Sequence, residues 1–288
     1  MSKKIICENY LKERIIFEYK FPFFLKSVDG LHEVLGVVAG MKSAYSIGEN
    51  YIGTSVEKRN ILIKGAIRDN VISNRQKLYR SFPLKSTGIL YYYEDDLERK
   101  IEYKVESVQI DNKGLHKQFQ ISLICPNPYF TDLEKTTLQM ATWSPCFKFA
   151  LKIPHNTGIK FGVKNTTSMA TIQNDTNIEF GMTLTFTAND TVVNPSLFNV
   201  DTREEMKIEK TMEAGDKIIV NTYRQNKNIT YIPVTSGIEQ NINNLMVYGS
   251  KFLQVHHGSN TYRYNADTGV DNLEAVIEYV NEYEAVWW

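Results

Sequence analysis

The chain has 288 residues, enough for about two domains, and its 42% hydrophobic and 23% charged residues are ordinary for a soluble globular protein. That much apolar material fills two cores without a disulfide or metal staple. Lys plus Arg and Asp plus Glu number 33 each, so no net field draws the chain to nucleic acid or to an anionic membrane.

The N-terminal segment begins Lys3-Lys4-Ile5-Ile6, but Glu8, Lys12, Glu13 and Arg14 interrupt any signal-like apolar core. Folding in a cytoplasm is therefore expected. Apolar runs such as Leu35 to Gly40 fall far short of the roughly 20 residues that span a bilayer. Cys7, Cys125 and Cys146 are odd in number and form no C-x-x-C pair, so buried free thiols are expected in a reducing compartment.

In chain order, the first marked element is Ile15 to Phe24, a strand with large apolar groups on both faces before Pro22. Such a strand needs cover on both sides, from its own domain or from a neighbouring subunit. A helix follows: Asp69 or Asn70 supplies a capping oxygen, Val71, Arg75, Leu78 and Phe82 share one face, and Pro83 closes it. Ile101, Tyr103 and Val105 alternate with Glu102, Lys104 and Glu106, then the phase switches to Val108 and Ile110, which predicts a bulge near Ser107. Asp111 to Gly114 reads as a turn, and Phe119, Ile121, Leu123 and Cys125 as the returning strand, making residues 99–125 a hairpin. Pro126 to Asp132 marks a boundary, and a polar stretch runs from Leu133 to Thr142. Beyond it, Phe147 to Ile153 alternates as a strand. Ile178, Phe180, Met182, Leu184 and Phe186 do the same against Glu179, Thr183, Thr185 and Thr187. Leu273 to Tyr283 fits a strand or a helix; its β-branched content selects strand. The fold class is mainly β, with one helix in the first half and a sandwich or jelly roll in the second.

These segments carry a family resemblance. The first half contributes Lys58 to Gly65, the helix with Arg75 and Leu78, Phe82-Pro83-Leu84, the hairpin, and the run Gln118 to Phe130 with its Pro128-Tyr129 step. The second half contributes Ile172-Gln173-Asn174-Asp175, a turn lacking the usual glycine, and Glu209 to Thr222, where Gly215-Asp216 enters a strand and Asn221-Thr222 stands for Asp-Thr. Leu245 to Gly249, Gly258-Ser259-Asn260, and the final strand with Tyr279 and Tyr283 complete the pattern. Over nearly the whole chain this resembles the siphovirus-type phage distal tail proteins. The resemblance implies an N-terminal belt domain, residues 1–132, that joins copies into a six-fold ring at the distal end of the tail tube. It implies a C-terminal galectin-like β-sandwich, residues 137–288, that projects outward. The implied partners are the chain itself as a homohexamer, the tail tube protein, the tape measure protein, and tail-tip, baseplate or receptor-binding proteins. No membrane is implied, and DNA enters only by passing through the ring. The implied place is the distal end of the virion tail, assembled in the host bacterial cytoplasm.

No catalytic residue, cofactor site or metal site is expected. His256-His257 on a strand would point to opposite faces and chelate nothing together, while His32, His116 and His155 sit in unrelated segments. Glu94-Asp95-Asp96-Leu97-Glu98 is a carboxylate cluster that reads as a solvated hairpin turn, with contact to a basic patch on a neighbouring subunit as the alternative. Cys125 continues a core face. No phosphate-cradling glycine loop occurs. Lys58-Arg59 and Arg75, Lys77, Arg80 near Tyr79 read as a solvated face, or else as a ring interface or lumen lining. Trp143, Trp287 and Trp288 invite a sugar platform, but the C-terminal pair reads first as a plug for the last strand or a contact to a neighbouring chain. The expected function is structural. A carbohydrate-binding adhesin acting through the C-terminal domain is the alternative, and a tail-associated hydrolase a third.

Overall fold

The computed structural model describes residues 3–42, 45, 47–111, 117–140, 142–145, 162–165 and 169–287, with 142–145 and 162–165 described by their backbone. The expected strand at Phe147 to Ile153, the turn at Asn112 to Gly114, and Cys146, His116, His155 and Trp288 lie outside the described residues. The chain divides into two compact units: Met1–Leu133 with Glu282–Trp288, and Glu134–Asn281.

The first unit contains β1 (Lys4–Asn9), β2 (Arg14–Phe17), β3 (Phe23–Asp29), β4 (Gly36–Met41), β5 (Asn50–Val56) and β6 (Arg59–Ile67). Then come α1 (Val71–Ser81), β7 (Thr87–Glu94), β8 (Leu97–Ile110), β9 (Lys117–Cys125) and β10 (Phe130–Thr131). Seven strands form an antiparallel sheet in the order β2-β1-β7-β8-β9-β6-β3. Its two outer strands touch at one end, where Leu25 N–H donates to Glu18 C=O at 2.8 Å. The sheet therefore curls, and its concave face holds the core: Ile5, Phe17, Leu90, Tyr92, Ile121 and Leu123 are fully buried. Each such side chain contributes about 1.5–3 kcal/mol relative to exposure. The alternation of Ile101, Tyr103 and Val105 holds, and the register shifts between Val105 and Ser107 as the phase switch predicts. Phe119, Ile121, Leu123 and Cys125 return along β9, all buried.

The helix forms where its pattern predicts, with Leu78 and the following Phe82 in the core. Phe82 lies 6.2 Å from Phe17 and 6.3 Å from Tyr103, centroid to centroid. Its start differs from expectation. Asp69 and Asn70 are both left-handed, at φ 62° and 39°, and neither side chain caps the helix. Asn74 instead turns back, donating Nδ2 to the Asp69 carbonyl at 2.8 Å.

The second unit begins inside the stretch that reads as polar linker, with β11 (Thr136–Gln139), and goes on to β12 (Thr142–Pro145), β13 (Gly162–Asn165) and β14 (Met169–Asn174). The next strands are β15 (Met182–Ala188), β16 (Val192–Val193), β17 (Ser196–Asn199), β18 (Glu204–Lys207), β19 (Thr211–Met212) and β20 (Lys217–Asn221). The unit ends with β21 (Asn228–Ile232), β22 (Gln240–Asn241), β23 (Gly258–Asn265) and β24 (Leu273–Tyr279). A six-stranded sheet, β11-β24-β15-β20-β21-β22, faces a four-stranded one, β14-β23-β17-β18. Leu184, Phe186, Ile218, Val220 and Ile277 from the first meet Ile172, Leu197, Met206 and Tyr262 from the second in one core. This is the expected β-sandwich, and Leu273 to Tyr279 is a strand. Ile178 and Phe180 are buried ahead of β15 as the alternation predicts.

Side chains replace glycine at the turn after β14. Asn174, fully buried, donates Nδ2 to the Ile178 and Val255 carbonyls at 2.9 and 3.2 Å and accepts from Thr176 N–H at 2.8 Å.

The chain does not stay in the second unit to its end. A last strand, β25 (Glu282–Tyr283), pairs with β10 in the first unit, Phe130 opposite Tyr283. Val286 is fully buried in the first unit's core, and Trp287 is half-exposed. Of the expected C-terminal plug, Trp288 lies outside the described residues, and the buried residue beside Trp287 is Val286.

Candidate functional site

The most unusual surface lies in the first unit. Among the described residues β4 and β5 pair with each other and with no other strand, apart from the seven-stranded sheet. Nearly every residue of the hairpin is exposed on both faces. Val38 is 67% exposed, Tyr51 68% and Ile52 62%, and Leu35, Val37, Met41 and Val56 are exposed beside them. An isolated two-stranded ribbon is marginal in water, and apolar side chains on both of its faces need a covering surface. The sequence holds the signal, an uncharged apolar run from Leu35 to Met41.

The strand expected over Ile15 to Phe24 is broken: β2 ends at Phe17, bends follow from Tyr19 to Pro22, and Phe23 and Phe24 open β3. Ile15 and Phe17 are buried, while Ile16, Tyr19 and Phe21 are about half exposed. Phe24 stacks on Phe21 at 5.6 Å and meets Tyr19 edge-on at 6.1 Å, and the Arg68 guanidinium lies 5.0 Å from the Phe21 centroid. The unit's own residues thus cover one face of this segment.

The carboxylate cluster sits where expected. Glu94 pairs with Leu97 across a two-residue turn, and Asp95, Asp96 and Glu98 are exposed. Glu94 accepts a hydrogen bond from the Tyr92 hydroxyl, whose acidity falls because burial, and then that carboxylate, disfavour the phenolate.

The basic residues part company. Lys77 and Arg80 are exposed on α1. Arg59 is the correction: it is buried, not on a solvated face. Its guanidinium donates to the carbonyls of Pro128 and Gly30, both at 2.6 Å, and of Glu284. Desolvation by burial lowers its pKa from the ordinary arginine value.

His256 and His257 take separate partners, Glu179 Oε1 at 2.9 Å and the Thr176 carbonyl at 2.8 Å. Among the described residues no three His, Cys, Asp or Glu side chains group as a metal site. Cys7 and Cys125 are buried free thiols, and desolvation raises both pKa values, that of Cys125 to about 12. Among the described residues no helix is long and apolar enough to cross a membrane.

Residues 159–283 match the family model described as siphovirus-type tail component, C-terminal domain. No curated protein matches the chain. Among solved structures, the crystal structure of the SPP1 Dit protein (gp 19.1), described as a paradigm of the hub adsorption apparatus in phages infecting Gram-positive hosts, aligns with a TM-score of 0.67. The identity is 11%, over 97% of this chain and 99% of that one. A chain of the phage P2 baseplate in its activated conformation with Ca aligns with a TM-score of 0.53 at 10% identity, over 99% of both chains. The sequence resemblance therefore stands: the chain shares the fold of the SPP1 Dit protein and, over residues 159–283, is similar to the siphovirus-type tail component C-terminal domain.

Proposed function

We propose that this chain is a structural hub subunit of a phage tail or phage-tail-like particle, with no catalytic role. It forms a homohexameric ring at the distal end of the tail tube and joins the tube to tip, baseplate or receptor-binding proteins. The first unit is the ring-forming belt, and the second is a galectin-like sandwich carried on it. The likeness to Dit and baseplate chains supports the class of protein. The observation that carries the ring is the β4–β5 hairpin, apolar on both faces and, among the described residues, paired with no other strand of its own unit. A neighbouring copy is the natural cover, since a closed ring joins unlike surfaces of identical subunits head to tail.

Sedimentation velocity across a concentration series tests this. The full chain is expected to associate, and a variant with residues 37–55 replaced by a short polar turn is expected to fold but remain monomeric. A full chain that stays monomeric at every concentration overturns the ring. Equal association of both proteins removes the hairpin from the interface.

A further inference from the structure

A ring of identical subunits needs two different, complementary surfaces on each copy. The first unit carries such a pair at the two ends of its sheet. One is a groove of about 430 Å³ between α1 and β2, lined by Arg14, Lys77 and Arg80 together with Glu13, Ser73 and Gln76. Ser73, Gln76, Lys77 and Arg80 recur at helical spacing, so one face of α1 forms its wall. The other is the β7–β8 turn, a convex tip bearing Asp95, Asp96 and Glu98.

The register fixes where they lie. Arg14 is opposite Glu8 on β1, and Glu8 is opposite Ile89 on β7. The groove is therefore level with Ile89, and the turn lies six residues farther along β7, roughly 20 Å away at strand rise. Arg14 is already engaged by Glu8 at 2.7 Å. Among the described residues the ion pairs use none of Lys77, Arg80, Asp95, Asp96 and Glu98. Each copy's first unit thus carries three carboxylates at one end and, beside Glu13, two cations outside these ion pairs at the other. A convex tip and a concave receiver of opposite charge cannot meet within one copy across that distance.

We infer that the acidic β7–β8 turn of one copy docks into the basic α1–β2 groove of the next. This rests on the ring proposed above and adds an electrostatic contact to the apolar cover the hairpin requires. Opposite charge at such a contact speeds and orients association and weakens as salt rises.

Charge exchange tests it on the full chain. Asp96→Lys with Glu98→Lys makes both ends basic, and Lys77→Glu with Arg80→Glu makes both acidic. Asp95 is left alone because its φ of 51° disfavours replacement. Each variant by itself should associate at least about tenfold more weakly than wild type. An equimolar mixture should recover assembly, because every turn then meets a groove of opposite charge. Circular dichroism and thermal melting establish that each variant folds. Should one misfold, the neutral pairs Asp96→Asn with Glu98→Gln and Lys77→Gln with Arg80→Gln replace it. Those are expected to weaken association several-fold and to flatten its salt dependence. Wild type that assembles while the variants match it, or a folded mixture that fails to recover, overturns this contact and leaves the ring standing. Wild type that never associates overturns both.

Discussion

The guanidinium of Arg59 lies over the ring of Phe130, 4.9 Å from its centroid. Around that contact three separate segments converge: Arg59 donates to the carbonyls of Gly30, Pro128 and Glu284. The first residue of β6 thus fastens the end of β3, the entry to β10 and the C-terminal strand. A buried cation whose hydrogen bonds go to carbonyl oxygens contributes through them, and losing it leaves each of those oxygens without its charged donor.

Arg59→Met is therefore expected to cost the first unit about 2–4 kcal/mol. Arg59→Lys keeps the charge but loses the planar fork that reaches three oxygens, so it should rescue little. Urea titration monitored separately for the two units checks this. Loss is expected in the transition of the first unit, with that of the second unchanged.

The C-terminal strand belongs to the first unit, which changes what a fragment can do. Residues 1–132 alone lack β25, the Glu284 carbonyl and the buried Val286. That fragment is expected to be unstable, as is a chain ending at Asn281 in its first unit. Residues 134–281 are expected to fold and melt cooperatively. Val286→Asp, which buries an unpaired carboxylate, should reproduce the truncation at a cost of about 3 kcal/mol. Limited proteolysis and thermal melting of these proteins give the comparison.

Asp216 makes the second unit sensitive to acid. Burial alone would raise its pKa. Hydrogen bonds from the Tyr231 hydroxyl at 2.6 Å and from the Glu213 and Val234 amides at 2.9 Å, with Lys210 nearby, hold it below the usual value of 3.8. A depressed folded pKa means that the carboxylate's stabilisation is complete above the unfolded value and is lost as pH falls through the folded one. Melting of the second unit is therefore expected to fall below about pH 4. Asp216→Asn should be less stable at neutral pH and show a flatter acid limb in calorimetry.

Cys7 and Cys125 are expected to resist thiol reagents in the native protein at pH 8, since both are buried and their thiolates are disfavoured. Mass mapping after labelling should find both unmodified until denaturant is added.

Much of this fold is legible in the sequence because its strands are half-buried. Ile101 to Ile110 and Met182 to Phe186 alternate with period two, and even the bulge at Ser107 registers as a change of phase. What escaped notice is set by distant residues. Arg59 beside exposed Lys58 reads as surface, and its burial depends on carbonyls 69 and 225 positions away. The return of Glu282 and Tyr283 to the first unit is likewise a long-range pairing with no local mark. The hairpin of Leu35 to Val56 shows the opposite difficulty: apolar residues on both faces look alike whether a core or another copy covers them. The acidic run Glu94 to Glu98 and the basic residues of α1 are legible as charge clusters, but their placement at a turn and at a groove depends on the pairing of β1, β2 and β7.

Negative-stain imaging of the purified full chain tests the central claim most directly. Closed, uniform rings with six-fold symmetry are expected, lost when residues 37–55 are replaced. A field of single 33.2 kDa particles at every concentration and ionic strength would contradict it.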